Sequence, residues 1–145
     1  MLHGWQRAEL TNSGTGEILS VLYSDPASNI EVDAQVFVAA RRLVALPDEL
    51  LVFCQGISLR HAIEVQGYIA MVEAAWADVV RLRASRGLRV QRVDDGDDGY
   101  DRIVKHGVKG ISLHHQTSLR SHASVDRFTR VLLRAWSGVL RGRAV

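Results

Sequence analysis

Three histidines, His114, His115 and His122, lie in the stretch GISLHHQTSLRSHAS, residues 110–124, interleaved with hydroxyls and Arg120. Neutral imidazoles are common zinc ligands, and histidine is a frequent general base near neutral pH. Both chemistries require the rings to converge. If residues 111–115 are extended, successive side chains point to opposite faces, so His114 and His115 cannot reach one ion or one substrate atom together. His122 lies beyond that strand, in the loop before Ser124, and His106 is eight residues upstream of His114. These spacings match no zinc pattern of the C-x2-C or H-x3-H kind. The expectation is therefore surface and hydrogen-bonded structural histidines, with no metal and no cofactor. A small enzyme using one histidine of the 114–122 cluster is kept as a second alternative function.

Other catalytic or ligand-binding patterns are incomplete. DDGDDGYD, residues 94–101, is rich in carboxylates, but a calcium loop wants oxygen ligands at positions 1, 3 and 5, glycine at 6 and glutamate at 12. Counted from Asp94, position 3 is Gly96 and position 12 is Lys105; from Asp95, position 5 is Gly99 and position 12 is His106. Neither register works, so the segment reads as a solvated hairpin loop. GISL, residues 56–59, lacks the second glycine of a nucleophile elbow, which leaves Ser58 as a helix cap. SGTG, residues 13–16, lacks the lysine and the following helix of a phosphate loop. Glu64 and Glu73, nine residues apart, fall on opposite sides of a helix and form no acid–base pair. Cys54 sits in an apolar run and is expected to pack.

The charges are unevenly spread. Net charge is +2, but residues 1–59 hold three basic and seven acidic side chains, and residues 60–145 hold fifteen basic and nine acidic. RLRASRGLRVQR, residues 81–92, contains Arg81, Arg83, Arg86, Arg89 and Arg92 with no acid. Near the end, Arg127, Arg130, Arg134 and Arg141 recur at spacings of 3, 4 and 7, one stripe of a helix opposite Phe128, Leu132, Ala135 and Val139. Guanidinium groups in such a row suit a phosphate backbone. Few aromatics lie between them, which disfavours a base-stacking platform. The function expected from these nine arginines is non-enzymatic: an accessory protein that binds nucleic acid or another polyanion. The first alternative is a homo-oligomeric structural or assembly protein, its arginines meeting a partner copy's Asp94–Asp101 loop.

The elements that must position these residues follow from periodicity. Residues 4–10 and 17–23, joined by the glycine-containing loop 11–16, predict an antiparallel hairpin that ends before Pro26. Val36, Ala40, Leu43 and Val44 recur at helical spacing, although residues 30–35 also alternate as a short strand would. Asp48 can cap a short helix through LLVFC ending at Gly56. Ala62, Val65, Ile69, Val72, Trp76 and Val79 form a heptad-like seam in a long central helix, 58–86. At about 1.5 Å per residue it would reach about 40 Å, longer than a globule of this size needs, and this suggests a homodimer through that helix. Strands are expected near 88–93 and 103–115, with a C-terminal helix over 125–141 capped by Ser124. The predicted class is α+β: one domain, 1–145, in which a small antiparallel sheet is packed by the two helices.

Composition is consistent with this. Hydrophobic residues are 47% and charged residues 23%, ordinary for a globular chain. No run of about 18 apolar residues suggests a membrane span, and the first residues, MLHGWQRAEL, lack the pattern of a secretory leader. A lone cysteine forms no internal disulfide, so a reducing, cytoplasmic setting is expected.

Overall fold

In the computed structural model the described residues are 5–16, 18–25, 30–35, 51–53, 57–85, 87, 90, 99–114 and 117–144. The alternating N-terminal segment forms β1, Gln6–Thr11, and β2, Ile18–Asp25, paired antiparallel with an irregularity at Leu10/Thr11. Asn12 closes the loop: its carbonyl accepts Gly16 N–H at 2.8 Å and its Oδ1 accepts Gly14 N–H at 2.9 Å. β2 stops at Asp25, directly before Pro26. Next come β3, Ile30–Gln35, and β4, Leu51–Phe53. Leu51–Phe53 is thus not part of the short helix that an aspartate cap and apolar content suggest. Leu51–Phe53 pairs with β3 on one side and with β8, Thr117–Leu119, on the other. Ladder bonds from two neighbours outweigh a weak local helix preference. The expected helix through Val36–Val44, together with Cys54, lies outside the described residues.

These strands make a five-stranded antiparallel sheet in the order β1-β2-β3-β4-β8. A second, three-stranded sheet has the order β5-β7-β6, with β5 at Ile57–Leu59, β6 at Val104–Gly107 and β7 at Gly110–Leu113. Ser58 therefore caps no helix. It stands in β5, where Ile57 and Leu59 are buried and Ser58 is exposed, the period-two signature of a half-buried strand. The strands expected near 103–115 are the β6–β7 hairpin, although Ile103 itself closes a single helical turn, α2, Tyr100–Ile103. The expected strand near 88–93 lies outside the described residues except for Val90, which is in neither a helix nor a strand.

The long helix α1 runs Ala62–Ala84, about 35 Å at 1.5 Å per residue, rather than 58–86. Its first turn is capped by Glu64, whose carboxylate accepts the N–H groups of Arg60 and His61, each at 3.0 Å. At the far end Ser85 Oγ donates to Leu82 O at 2.7 Å, and Gly87, at φ 75°, takes the left-handed conformation that ends many helices. α1 packs against β2, β3, β4, β5 and the C-terminal helix, α3, His122–Arg143. Of the seam, Val65, Val72, Trp76 and Val79 are buried and Ile69 is half-buried within this chain. The seam is thus used largely by the chain's own core, with Ala62 exposed at its start.

The α3 N-cap is Ser121, three residues before the expected Ser124. Ser121 Oγ accepts Ser124 N–H at 3.1 Å, and Ser124 Oγ accepts the N–H groups of Ser121 and Arg120 at 3.0 and 2.9 Å. Val125, Phe128, Val131, Leu132, Ala135 and Val139 then turn inward. Phe128 meets Tyr68 and Tyr100 edge-on, with ring centroids 6.4 and 5.2 Å away. The class is α+β, with both sheets and both long helices sharing one hydrophobic cluster.

Candidate functional site

The described histidines form no group of three. His114 is exposed just past β7, His115 lies outside the described residues, and His122 opens α3. His122 is half-buried, and its Nδ1 accepts a hydrogen bond from Trp76 Nε1 at 3.1 Å, with the two rings edge-on at 5.7 Å. That contact ties α3 to α1, a structural use of the imidazole. His106 lies in β6, its ring over Gly138 of α3. Among the described residues no three His, Cys, Asp or Glu side chains gather as a metal would require.

Of the first arginine segment, Arg81 and Arg83 are described, and they differ. Arg81 is exposed but donates from Nη2 to Asp78 Oδ1 at 2.6 Å. Arg83 is only 2% exposed, so burial takes it out of any phosphate-facing surface. Arg86, Arg89 and Arg92 lie outside the described residues. The second segment differs. On α3, Arg130, Arg134 and Arg141 are exposed and Arg127 is half-buried. At 100° per residue the four fall within an arc of about 60°. Arg130 Nε donates to Asp126 O at 3.3 Å, one turn back. Arg134 lies 3.6 Å from Asp101 of α2, both open to water, and such a pair contributes little and exchanges readily. Arg143, at the end of the same helix, was not anticipated. It lies over Trp136, 5.2 Å from the ring centroid.

A charged cluster also missed by sequence reasoning joins the N-terminal hairpin to α1. Asp78, 8% exposed, accepts from Arg7 Nε at 2.9 Å, from Arg7 Nη2 at 3.3 Å, from Arg81 and from the Tyr23 hydroxyl. Arg7 also reaches Glu9 at 2.8 Å. Alternation in β1 placed Arg7 and Glu9 on one side, but nothing local marked that side as facing Asp78, 71 residues away. Burial opposes the Asp78 charge, yet the hydrogen bonds from Arg7, Tyr23 and Arg81 outweigh it and hold the carboxyl below its ordinary range. Burial, then the hydrogen bond and charge of Asp78, push the Tyr23 phenol up to about 12.

A phenol whose pKa is raised on folding adds stability that is complete below its unfolded value of about 10 and is lost as pH rises through the folded value. Alkaline spectrophotometric titration is expected to show the Tyr23 phenol ionising near pH 12, and Asp78→Asn is expected to move that step down. A Tyr23 that ionises near pH 10 in the wild type would contradict the cluster geometry.

No helix among the described residues is long and apolar enough to cross a membrane. No protein-family model matches the chain, and neither a curated protein nor a solved structure matches it.

Proposed function

We propose that this protein is a non-enzymatic accessory module that binds nucleic acid through the arginine face of α3, in the reducing environment that its single cysteine suits. The observation that carries the reading is the exposed row of Arg130, Arg134 and Arg141 on a helix whose opposite side is anchored in the core. Between Arg127 and Arg141 the helix advances about 21 Å, a length over which a duplex presents roughly a dozen phosphates. Among the described residues no aromatic platform accompanies the row, so the reading is of backbone contact with little sequence preference.

Fluorescence anisotropy with labelled duplex DNA, single-stranded DNA and RNA tests it. Three phosphate contacts predict an affinity loss of about 40-fold between 50 and 200 mM salt. Arg130→Gln, Arg134→Gln and Arg141→Gln together are expected to weaken binding at low salt and to flatten the salt dependence by about one unit per arginine. Circular dichroism should stay unchanged, because these side chains are exposed. The proposal is withdrawn if none of the three nucleic acids associates at 50 mM salt, or if the triple variant binds as the wild type does.

A further inference from the structure

The outer face of the three-stranded sheet carries a groove of about 520 Å³. Ser58, Ser112 and Lys105 stand in one cross-strand row, since Ser112 is the register partner of both others. Alternation sends all three away from the core that buries Ile57, Leu59, Ile111, Leu113 and Val104. Directly opposed side chains in such a row have Cβ atoms roughly 5 Å apart, close enough for two hydroxyls and an ammonium to share one ligand group. Arg60, at the end of β5, and Lys109, in the β6–β7 turn, line the same groove. The described lining contains no carboxylate. Three cations from three separate segments thus face one space; Glu64, whose carboxylate accepts the Arg60 N–H, is not among its described lining residues.

The rim is held by Arg143. Its Nε donates to Val108 O at 2.7 Å, and its Nη2 donates to Arg60 O at 2.8 Å and to Lys109 O at 3.2 Å. One guanidinium at the end of α3 therefore joins the turn carrying Lys109 to the backbone of Arg60, so the spacing of two groove cations is built into the fold. A site whose charged groups are set before the ligand arrives loses less entropy on binding.

We infer that this groove is a phosphomonoester site. Three cations and two hydroxyls match a dianion with three terminal oxygens better than a carboxylate, which is singly charged and offers two. The volume lies within the range of small-ligand pockets. The phosphomonoester is either that of a free small molecule or the terminal phosphate of a nucleic acid strand, and the two share the same recognition chemistry.

Calorimetry on the full chain tests the site, with inorganic phosphate, AMP, acetate, and one oligonucleotide carrying or lacking a terminal phosphate. Phosphate and AMP are expected to bind, and acetate at least roughly tenfold more weakly. Lys105→Gln and Arg60→Gln are each expected to weaken AMP binding roughly tenfold or more, and Lys105→Arg to restore most of it. AMP and the terminal phosphate bound alike point to a free metabolite or a strand end equally well served; a preference for the phosphorylated oligonucleotide over both AMP and the unphosphorylated strand assigns the strand end. The inference fails if neither phosphate nor AMP binds, if acetate binds as well as phosphate, or if AMP binding survives the groove substitutions. The Arg130, Arg134 and Arg141 triple variant should leave AMP binding intact, so this site and the α3 face stand or fall separately.

Discussion

Gly110→Ala is expected to lower stability by about 4 kcal/mol, a large loss for a single added methyl group. Gly110 sits at φ 141°, which residues with a Cβ rarely adopt, and that conformation alone costs roughly 1–3 kcal/mol. A Cβ there would come within 2.2 Å of Leu59 O and 3.0 Å of Arg60 Cα. Both contacts are backbone, so no rotamer change relieves them, and overpacking adds typically 1–3 kcal/mol. Relief would require β5 and β7 to separate, which breaks the ladder that supports the groove. At about 3 °C per kcal/mol for a chain of this size, the midpoint should fall by about 12 °C. Urea denaturation checks the free energy directly, with the slope expected to stay constant. A loss below about 1 kcal/mol would mean that β5 and β7 are not so closely apposed.

Asp78→Ala is expected to cost about 3 kcal/mol. Removing one partner of a buried charge cluster leaves the others uncompensated, typically at 3–5 kcal/mol. The lower end applies because the Arg7 and Arg81 side chains are 34% and 61% exposed and recover some hydration. Asp78→Asn should cost less, since an amide oxygen still accepts from Arg7. The pH dependence has a definite sign. The folded carboxyl lies below its ordinary value, so its contribution is complete above the unfolded pKa of about 4 and is lost as pH falls through the folded value. The difference in stability between wild type and Asp78→Asn should therefore shrink progressively below pH 4. A difference that stays constant from pH 6 to strongly acidic conditions would show that the carboxylate charge is not what holds the hairpin to α1.

The α3 stripe and the groove differ in how visible they are from sequence. Arg127, Arg130, Arg134 and Arg141 lie on one helix, and the 3.6-residue period alone puts them on one side. Arg60, Lys105 and Lys109 lie on two sides of the long helix in sequence, and only the β5-β7-β6 pairing brings them to one face. Arg81 and Arg83, neighbours in the same run, part company for a related reason. A string of arginines looks uniformly exposed, yet the end of α1 passes through the core, so Arg83 is buried while Arg81 turns toward Asp78.

Local pattern by itself determined the N-terminal hairpin, the existence of the two long helices, the β6–β7 strands and the α+β class, because each follows from a period or a turn residue within a few positions. Tertiary structure decided what lies opposite what: that Leu51–Phe53 and Ile57–Leu59 are strands, that the α1 seam is filled largely by this chain, and that Asp78 receives Arg7. Sheet hydrogen bonds and desolvated ion pairs draw their energy from partners tens of residues away. A segment's own propensity carries no record of those partners.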